Sequence, residues 1–300
     1  MLQLGIVGYP LGHTLSPVLH RFLLQQLGIK GDYVAYKTPP EKLQDTLLYL
    51  KTMGVWGVNV TIPHKVTVMH LVSTIDETAQ RAGAVNTLVW ESGEWHGYNT
   101  DVPGFIRGLP PERLLAIKNA RVLVLGAGGA ARAVVMALVE QHANSVTLCA
   151  RSQPRAAEVL NKAKIAGRQL NSPTQLAWLS WDKLIDLAPF DWVVNATSLG
   201  MHTETDDMPT DAIEVVSPLT PAQIASIPEG ALVYDLIYRP AQTRLLQACS
   251  ARGLETCNGL GMLMHQGIAS FERWCGKRVP TALYGPLYEI LSAELRPALQ

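Results

Sequence analysis

With 300 residues, 48% hydrophobic and 17% charged, the chain has the composition of a well-cored globular protein and the length for two ordinary domains. Lysine plus arginine equals aspartate plus glutamate at 25 each, so there is no basic excess to neutralise a nucleic-acid backbone or an anionic membrane. That excludes both as default partners and leaves a small molecule.

From residue 1 to about 100, short β-type runs alternate with helical periodicity, the pattern of an α/β domain. The opening "LQLGIVG" predicts a strand and lacks the basic and apolar regions of a signal peptide. "SPVLHRFLLQQLG" predicts a helix with Ser16 as N-cap and Pro17 at its first position. A strand "DYVAYKT", a helix "PEKLQDTLLYLKTMG" and a strand "VWGVNVTIP" follow. Pro63 then suits the first turn of a helix over "HKVTVMHLV". Lys65 would sit at its positive end, an unfavourable place for a cation and a suitable one for a proton donor. "AVNTLVWESGEWHGYNTD" reads as a hairpin around Ser92-Gly93. Asp101 stands before "VPGF", another helix start, where it serves as an N-cap.

The pattern restarts at "ARVLVLGAGGAARAVVMALVEQ" and runs through "SVTLCARSQPRAAEVLNKA" and "DWVVNATSLGM" to a strand "ALVYDLIY". Within it, residues 122–139 are apolar over a length that suggests a membrane span, but three glycines and Arg132 fit a strand, a turn and a helix. The last sixty residues carry helical patterns and no evident strand. The cysteines, at 149, 249, 257 and 275, have no C-x-x-C spacing, which fits a reducing cytoplasm.

Gly126, Gly128 and Ala131 form G-x-G-x-x-A between the strand "RVLVL" and the helix "ARAVVMALV", with Ala127, Gly129 and Ala130 completing the turn. The first glycine permits the tight turn, the second lets a pyrophosphate approach, and the helix N-terminus offers free N–H groups. After the next strand, "TLCARSQPRA" supplies Arg151, Ser152 and Arg155 and no carboxylate to read a ribose hydroxyl. Guanidinium groups suit a 2′-phosphate, so NADP is expected over NAD. Solvated arginines at a helix start are the alternative reading.

Hydride transfer needs a carbonyl held still, a proton for the alkoxide and little water. Lys65 is the expected proton source and Asp101 its electrostatic partner. Ser16, Thr61, Asn86 and Gln266 can both donate and accept, as a polyhydroxy acid requires. His13 and His64 have no second ligand at metal spacing, so no metal site is expected. The competing class is an NADP-binding sensor without proton-transfer groups, and Lys65 with Asp101 speaks against it.

The motifs "GHTLSP", "GVNVTIPHK", "GAVNTL", "GYNTDVPGF", "VLGAGGAARA", "NATSLGM", "YDLIY" and "NGLGMLMHQG", in this order, make the chain resemble the shikimate dehydrogenases, which reduce 3-dehydroshikimate with NADPH. The resemblance implies two α/β domains: a substrate domain over 1–101 and an inserted Rossmann-like NADP-binding domain over 102–239. C-terminal helices over 240–300 then complete the substrate domain, with the active site in the cleft. It implies Lys65 and Asp101 at the reacting carbonyl, with Asn59, Thr61 and Asn86 beside them. Thr14 and Ser16 are implied on the substrate carboxylate, with Tyr238 and Gln266 reaching in from later in the chain. On the cofactor side it implies Gly126 to Ala131, Arg151, Ser152, Arg155, Thr197 and Gly259. Thr14 departs from the usual serine and Ala150 from a frequent asparagine, although a hydroxyl and the Arg151 charge remain. A role in aromatic amino acid biosynthesis in the cytoplasm and a candidate homodimer follow from the same resemblance. The nearest rival enzyme is a quinate/shikimate dehydrogenase that accepts NAD.

Overall fold

The structure, a computed structural model, describes residues 1–12, 14–201 and 217–296, so His13 lies outside the described residues. The short apolar runs of the first hundred residues form β1 (Leu2–Gly8), β2 (Gly31–Lys37), β3 (Gly57–Val60), β4 (Thr74–Ile75), β5 (Thr87–Glu91) and β6 (Glu94–Tyr98). They build one six-stranded sheet in the order β2-β1-β3-β5-β6-β4. β1 runs parallel to β2 and β3, whereas β5 pairs antiparallel with β3 and β6. The β5–β6 hairpin turns at Ser92 and Gly93, both at positive φ, as a tight two-residue connection demands.

Helices α1 (Ser16–Gln26), α2 (Leu43–Thr52) and α3 (Glu77–Ala82) connect these strands. Ser16 is the first residue of α1 and not its cap; Leu15 holds that position without a side-chain bond. The α-helix expected after Pro63 is also absent. Residues 62–66 are turns, the Ile62–Pro63 peptide is cis, and only a short 3₁₀ helix follows at Thr67–His70. The Lys65 carbonyl accepts from Val85 N–H at 2.8 Å, which diverts it from a helical partner. Lys65 is therefore positioned by tertiary contacts and not by an α-helix terminus.

Helices α4 (Asp101–Arg107) and α5 (Pro111–Ala116) lead into the second unit. This contains β7 (Arg121–Leu125), α6 (Gly129–Glu140), β8 (Ser145–Ala150), α7 (Gln153–Gln169), β9 (Gln175–Ser180) and β10 (Trp192–Asn195). It continues with α8 (Pro221–Ser226), β11 (Leu232–Asp235), α9 (Arg244–Ala251) and β12 (Glu255–Asn258). All its pairings are parallel, in the order β12-β11-β10-β7-β8-β9. β10 and β11 are buried along their whole length, which is why "WVVN" and "LVYD" read as near-continuous apolar runs. The chain order reverses between β7 and β10, the crevice where doubly wound sheets bind ligands. The membrane-like stretch of the sequence is β7, a turn and α6, and among the described residues no helix is long and apolar enough to cross a membrane.

The boundary expected at 239 falls inside this unit. β12 pairs with β11, and Leu245, Leu246 and Cys249 of α9 pack under the same sheet, so the unit continues to Asn258. β12 escaped the sequence pattern because "ETCN" is four residues long with no fully buried position. Among the described residues, the helices that return to the first sheet are α10 (Leu260–Cys275) and α11 (Tyr284–Ala293), and Met264, Ile268 and Phe271 join a core with Leu19 and Leu23.

A glycine seam joins α4 to α10. A Cβ on Gly104 would lie 2.6 Å from Gln266 Cβ, and one on Gly108 would lie 2.7 Å from Met262 N. Each pair is spaced four residues apart, so both contacts fall on one helix face. From α4, Val102 and Phe105 enter the second unit's core, where the Phe105 ring stacks on Tyr234 at 5.3 Å.

Candidate active site

The end of β6, the start of α4 and the turn after β3 converge on two charged side chains. Lys65 Nζ donates to Asp101 Oδ2 at 2.5 Å, with side chains only 13% and 4% exposed. The expected N-cap duty of Asp101 falls instead to Asn99, whose Oδ1 accepts from Val102 N–H at 3.1 Å. Asp101 is thereby free to face the lysine. Its other oxygen accepts from Asn86 Nδ2 at 2.8 Å, and the same amide nitrogen reaches Gln266 Oε1 at 3.3 Å across 180 residues of chain. The glycine seam makes that approach close enough.

The remaining expected substrate residues fall in two places. Thr14 Oγ1 donates to Ser16 Oγ at 3.1 Å, and Tyr238 is hydrogen-bonded with Thr14 and the Leu15 backbone, so these three form one cluster. Burial pushes the Tyr238 phenol up from its ordinary value. Thr61 hangs at the end of β3, with its backbone N–H held by Val7 O at 3.0 Å. Asn59 lies deeper, buried behind the lysine, with its amide bonded to Tyr33, His20, Ser270 and Thr87. Sequence reasoning missed these four, together with Thr100. Their only signal was a polar residue at an otherwise apolar position, as in "DYVAYK" and "GIASFERW".

The glycine-rich turn closes the opposite wall. Gly126 sits at φ +102°, and a Cβ there would lie 3.0 Å from Thr197 Cγ2. A Cβ on Gly128 would meet nothing within 4 Å, so this glycine leaves open space at the N-terminus of α6. That room and the free N–H groups fit a pyrophosphate. A Cβ on Gly129 would lie 2.9 Å from the Cβ and Cδ of Lys65, so the lysine stem rests against the turn. Ala131 is fully buried, and Ala127 and Ala130 line the half-buried turn.

Arg151 and Arg155 are exposed beyond β8 and make no ion pair among the described residues, while Ser152 caps α7. Ala150 is buried in the core at the end of β8. Thr197 directs its hydroxyl to Asn195 Oδ1 at 2.7 Å and shapes the loop after β10. Gly259 is a packing glycine, because a Cβ would come 1.9 Å from Leu236 O. The sequence reading also passed over Asp235, which accepts from Asn195 Nδ2 at 2.9 Å, Ile237 N–H at 3.1 Å and Thr243 Oγ1 at 2.8 Å. It ties the loop after β10 to the loop carrying Tyr238, and burial raises its carboxyl to about 6.

Three family models match the chain: the shikimate dehydrogenase substrate binding domain over residues 6–88, shikimate / quinate 5-dehydrogenase over 111–198, and the shikimate 5'-dehydrogenase C-terminal domain over 259–283. The shikimate dehydrogenase (NADP(+)) of Thermosynechococcus vestitus is 39% identical over 286 residues, covering 95% of this chain and 94% of that one. The crystal structure of shikimate 5-dehydrogenase from Thermus thermophilus, in complex with NADP(H) and shikimate, aligns with a TM-score of 0.79 at 33% identity. It covers 98% of this chain and 100% of that chain. The 5-ketofructose reductase of a Gluconobacter species shares the fold with a TM-score of 0.77 at 28% identity, covering 96% and 98%. Motif order, a doubly wound second sheet and a relative matching nearly end to end agree, and the chain belongs to the shikimate dehydrogenase family.

Proposed function

We propose that the protein is an NADP-dependent shikimate dehydrogenase that reversibly reduces 3-dehydroshikimate to shikimate in aromatic amino acid biosynthesis. The observation that carries this reading is the pairing of Lys65 with the buried Asp101 at 2.5 Å, with the lysine stem against the glycine-rich turn. NADPH, when bound, supplies the hydride that reaches the carbonyl carbon. Lys65 gives a proton to the carbonyl oxygen as negative charge develops there, and recovers it in the reverse direction. Asp101 holds the ammonium in place. Thr14, Ser16 and Tyr238 take the substrate carboxylate, while Thr61 and Gln266 orient the ring hydroxyls. The first unit with α10 and α11 holds the substrate, and the second unit, continued to Asn258, holds the cofactor. The four cysteines are free thiols, which supports a reducing, cytoplasmic setting.

Purified protein should reduce NADP when given shikimate, followed at the nicotinamide absorbance. Turnover of 5-ketofructose or quinate in its place would overturn the substrate. Cofactor choice has its own test. Among the described residues Arg151 and Arg155 make no ion pair and are exposed, which suits a 2′-phosphate, and a charge-assisted bond of that kind contributes roughly 1.5–3 kcal/mol. Arg151→Ala should therefore raise the KM for NADP about 10- to 100-fold and leave that for NAD nearly unchanged. Equal losses with both cofactors would show that the arginine shapes the loop and does not read the phosphate.

A further inference from the structure

Behind Lys65 and Asp101 lies a buried polar layer whose directions are fixed by two groups that cannot reverse. Asn59 Oδ1 accepts from the Tyr33 hydroxyl at 2.7 Å and faces His20 Nε2 at 3.2 Å. Its Nδ2 donates to Ser270 Oγ at 2.9 Å and, at 3.3 Å, to Thr87 Oγ1 and the Asn86 carbonyl. A backbone carbonyl only accepts, so Asn86 O holds Nδ2 on its own side and turns Oδ1 toward Tyr33 and His20. His20 Nε2 must then carry the ring proton, and Nδ1 is the nitrogen left without a partner.

The second amide is set the same way. Thr100 N–H only donates and lies 2.7 Å from Asn86 Oδ1, so Asn86 Nδ2 points at Asp101. Thr87 Oγ1 bridges the two amides, donating to Asn86 Oδ1 at 3.1 Å and lying 2.7 Å from Ser270 Oγ. Donors therefore face one way, from His20 and Tyr33 through Asn59 and Asn86 to Asp101.

We propose that Asn59 is a positioning residue for proton transfer. Held by His20 and Tyr33, it sets Thr87, Ser270 and Asn86 so that Asp101 meets only donors and keeps Lys65 in register. Tyr33 also bonds Ser16, so the same layer ties the substrate-carboxylate end to the reacting end. This rests on the roles of Lys65 and Asp101 given above, and it replaces the expectation that Asn59 touches substrate.

The test uses the full chain with shikimate and NADP. Asn59→Leu should lower kcat about 10- to 100-fold, as a small misplacement of a reacting group does, and displace the kcat pH profile. KM for shikimate and the affinity for NADP should stay within about threefold. His20→Leu should lower kcat in the same sense, and His20→Gln, which keeps an N–H for Asn59 Oδ1, should restore most of it. A raised KM with intact kcat would overturn the proposal in favour of a substrate contact. A lowered melting temperature with unchanged kcat would overturn it in favour of a purely structural role. Should Asn59→Leu not fold, equal losses in the two His20 variants would overturn it as well. Nitrogen NMR of the His20 ring, assigned through His20→Gln, reads the tautomer without any turnover: a proton on Nε2 supports the network and one on Nδ1 overturns it. That measurement stands even if the wild-type protein is inert to shikimate, a result that would instead refute the proposed activity.

Discussion

Lys65→Met is expected to lower the turnover of shikimate roughly 10²–10⁴-fold, the range for a positioned acid or base. Methionine keeps an unbranched apolar stem of similar length, so the contact with Gly129 survives and only the proton-bearing nitrogen is lost. KM should move much less. The substitution also leaves Asp101 buried and without its cation, which costs about 3–5 kcal/mol of stability when a buried pair is broken from one side. Adding Asp101→Asn should recover part of the melting temperature and none of the turnover, which separates the chemistry from the fold. Near-normal kcat in Lys65→Met would falsify the assignment and leave Asp101, or a water it orients, as the proton source.

The second large effect is on stability in acid. His20 is fully buried among the rings of Tyr33, Phe271 and Trp274, and desolvation lowers its imidazole from 6.5 to about 3, against a smaller raising effect of the Asn59 bond. Above pH 6.5 the ring is neutral in both states and makes no difference. As pH falls from 6.5 to 3, the unfolded chain binds a proton that the folded one refuses, so stability is lost, by at most roughly 5 kcal/mol.

Asp235 acts in the opposite direction. Its carboxyl is raised from 3.8 to about 6, so the folded chain takes the proton first and gains stability as pH falls through that window, on the order of 3 kcal/mol. The two slopes largely offset each other between pH 6 and about 4, and the His20 loss prevails below. Melting temperatures across pH should show His20→Phe with a flatter acid limb than wild type, and Asp235→Asn with a fall that begins near pH 6. Parallel curves for wild type and His20→Phe would show that the imidazole does not govern the acid limb.

The parts of this protein carried by local chemistry were legible in its sequence. The glycine-rich turn, the β5–β6 hairpin and the apolar strands of the second sheet each depend on a few neighbouring residues. Lys65 was legible as a residue of interest, but the local reason was mistaken. No α-helix follows Pro63, and the lysine is held by a carbonyl bonded to Val85 and a stem against Gly129. Asp101 is expected from the sequence as the electrostatic partner of Lys65 and, compatibly, as a helix cap, and the capping duty is the part that Asn99 performs from two residues earlier. The layer behind them was invisible because its members lie far apart, Tyr33 and Asn59 by 26 residues and Asn59 and Ser270 by 211. Only the tertiary fold brings such polar groups together, and each alone looks like an ordinary strand or helix residue.

The glycine seam between α4 and α10 has a consequence for exchanging parts between related proteins. The chain enters the second unit just after Gly108 and leaves it just before Gly259, and Gly108 O lies 3.1 Å from where a Cβ on Gly261 would stand. Entry and exit are side by side, while Ala82, Val102 and Phe105 pack across into the second unit's core and Arg81 pairs with Glu140 at 3.7 Å. Arg113 belongs with the second unit, because it pairs with Glu255 at 2.5 Å. A chimera cut at 101 and 239 would split α4 from its own seam and strand α9 and β12 on the wrong parent. One cut at 108–109 and 258–259 keeps α9 and β12 with their own sheet and leaves Asp101 and Gln266 matched to their own substrate unit, so a grafted cofactor unit must offer Val102 and Phe105 of α4 the pocket that Tyr234 supplies here.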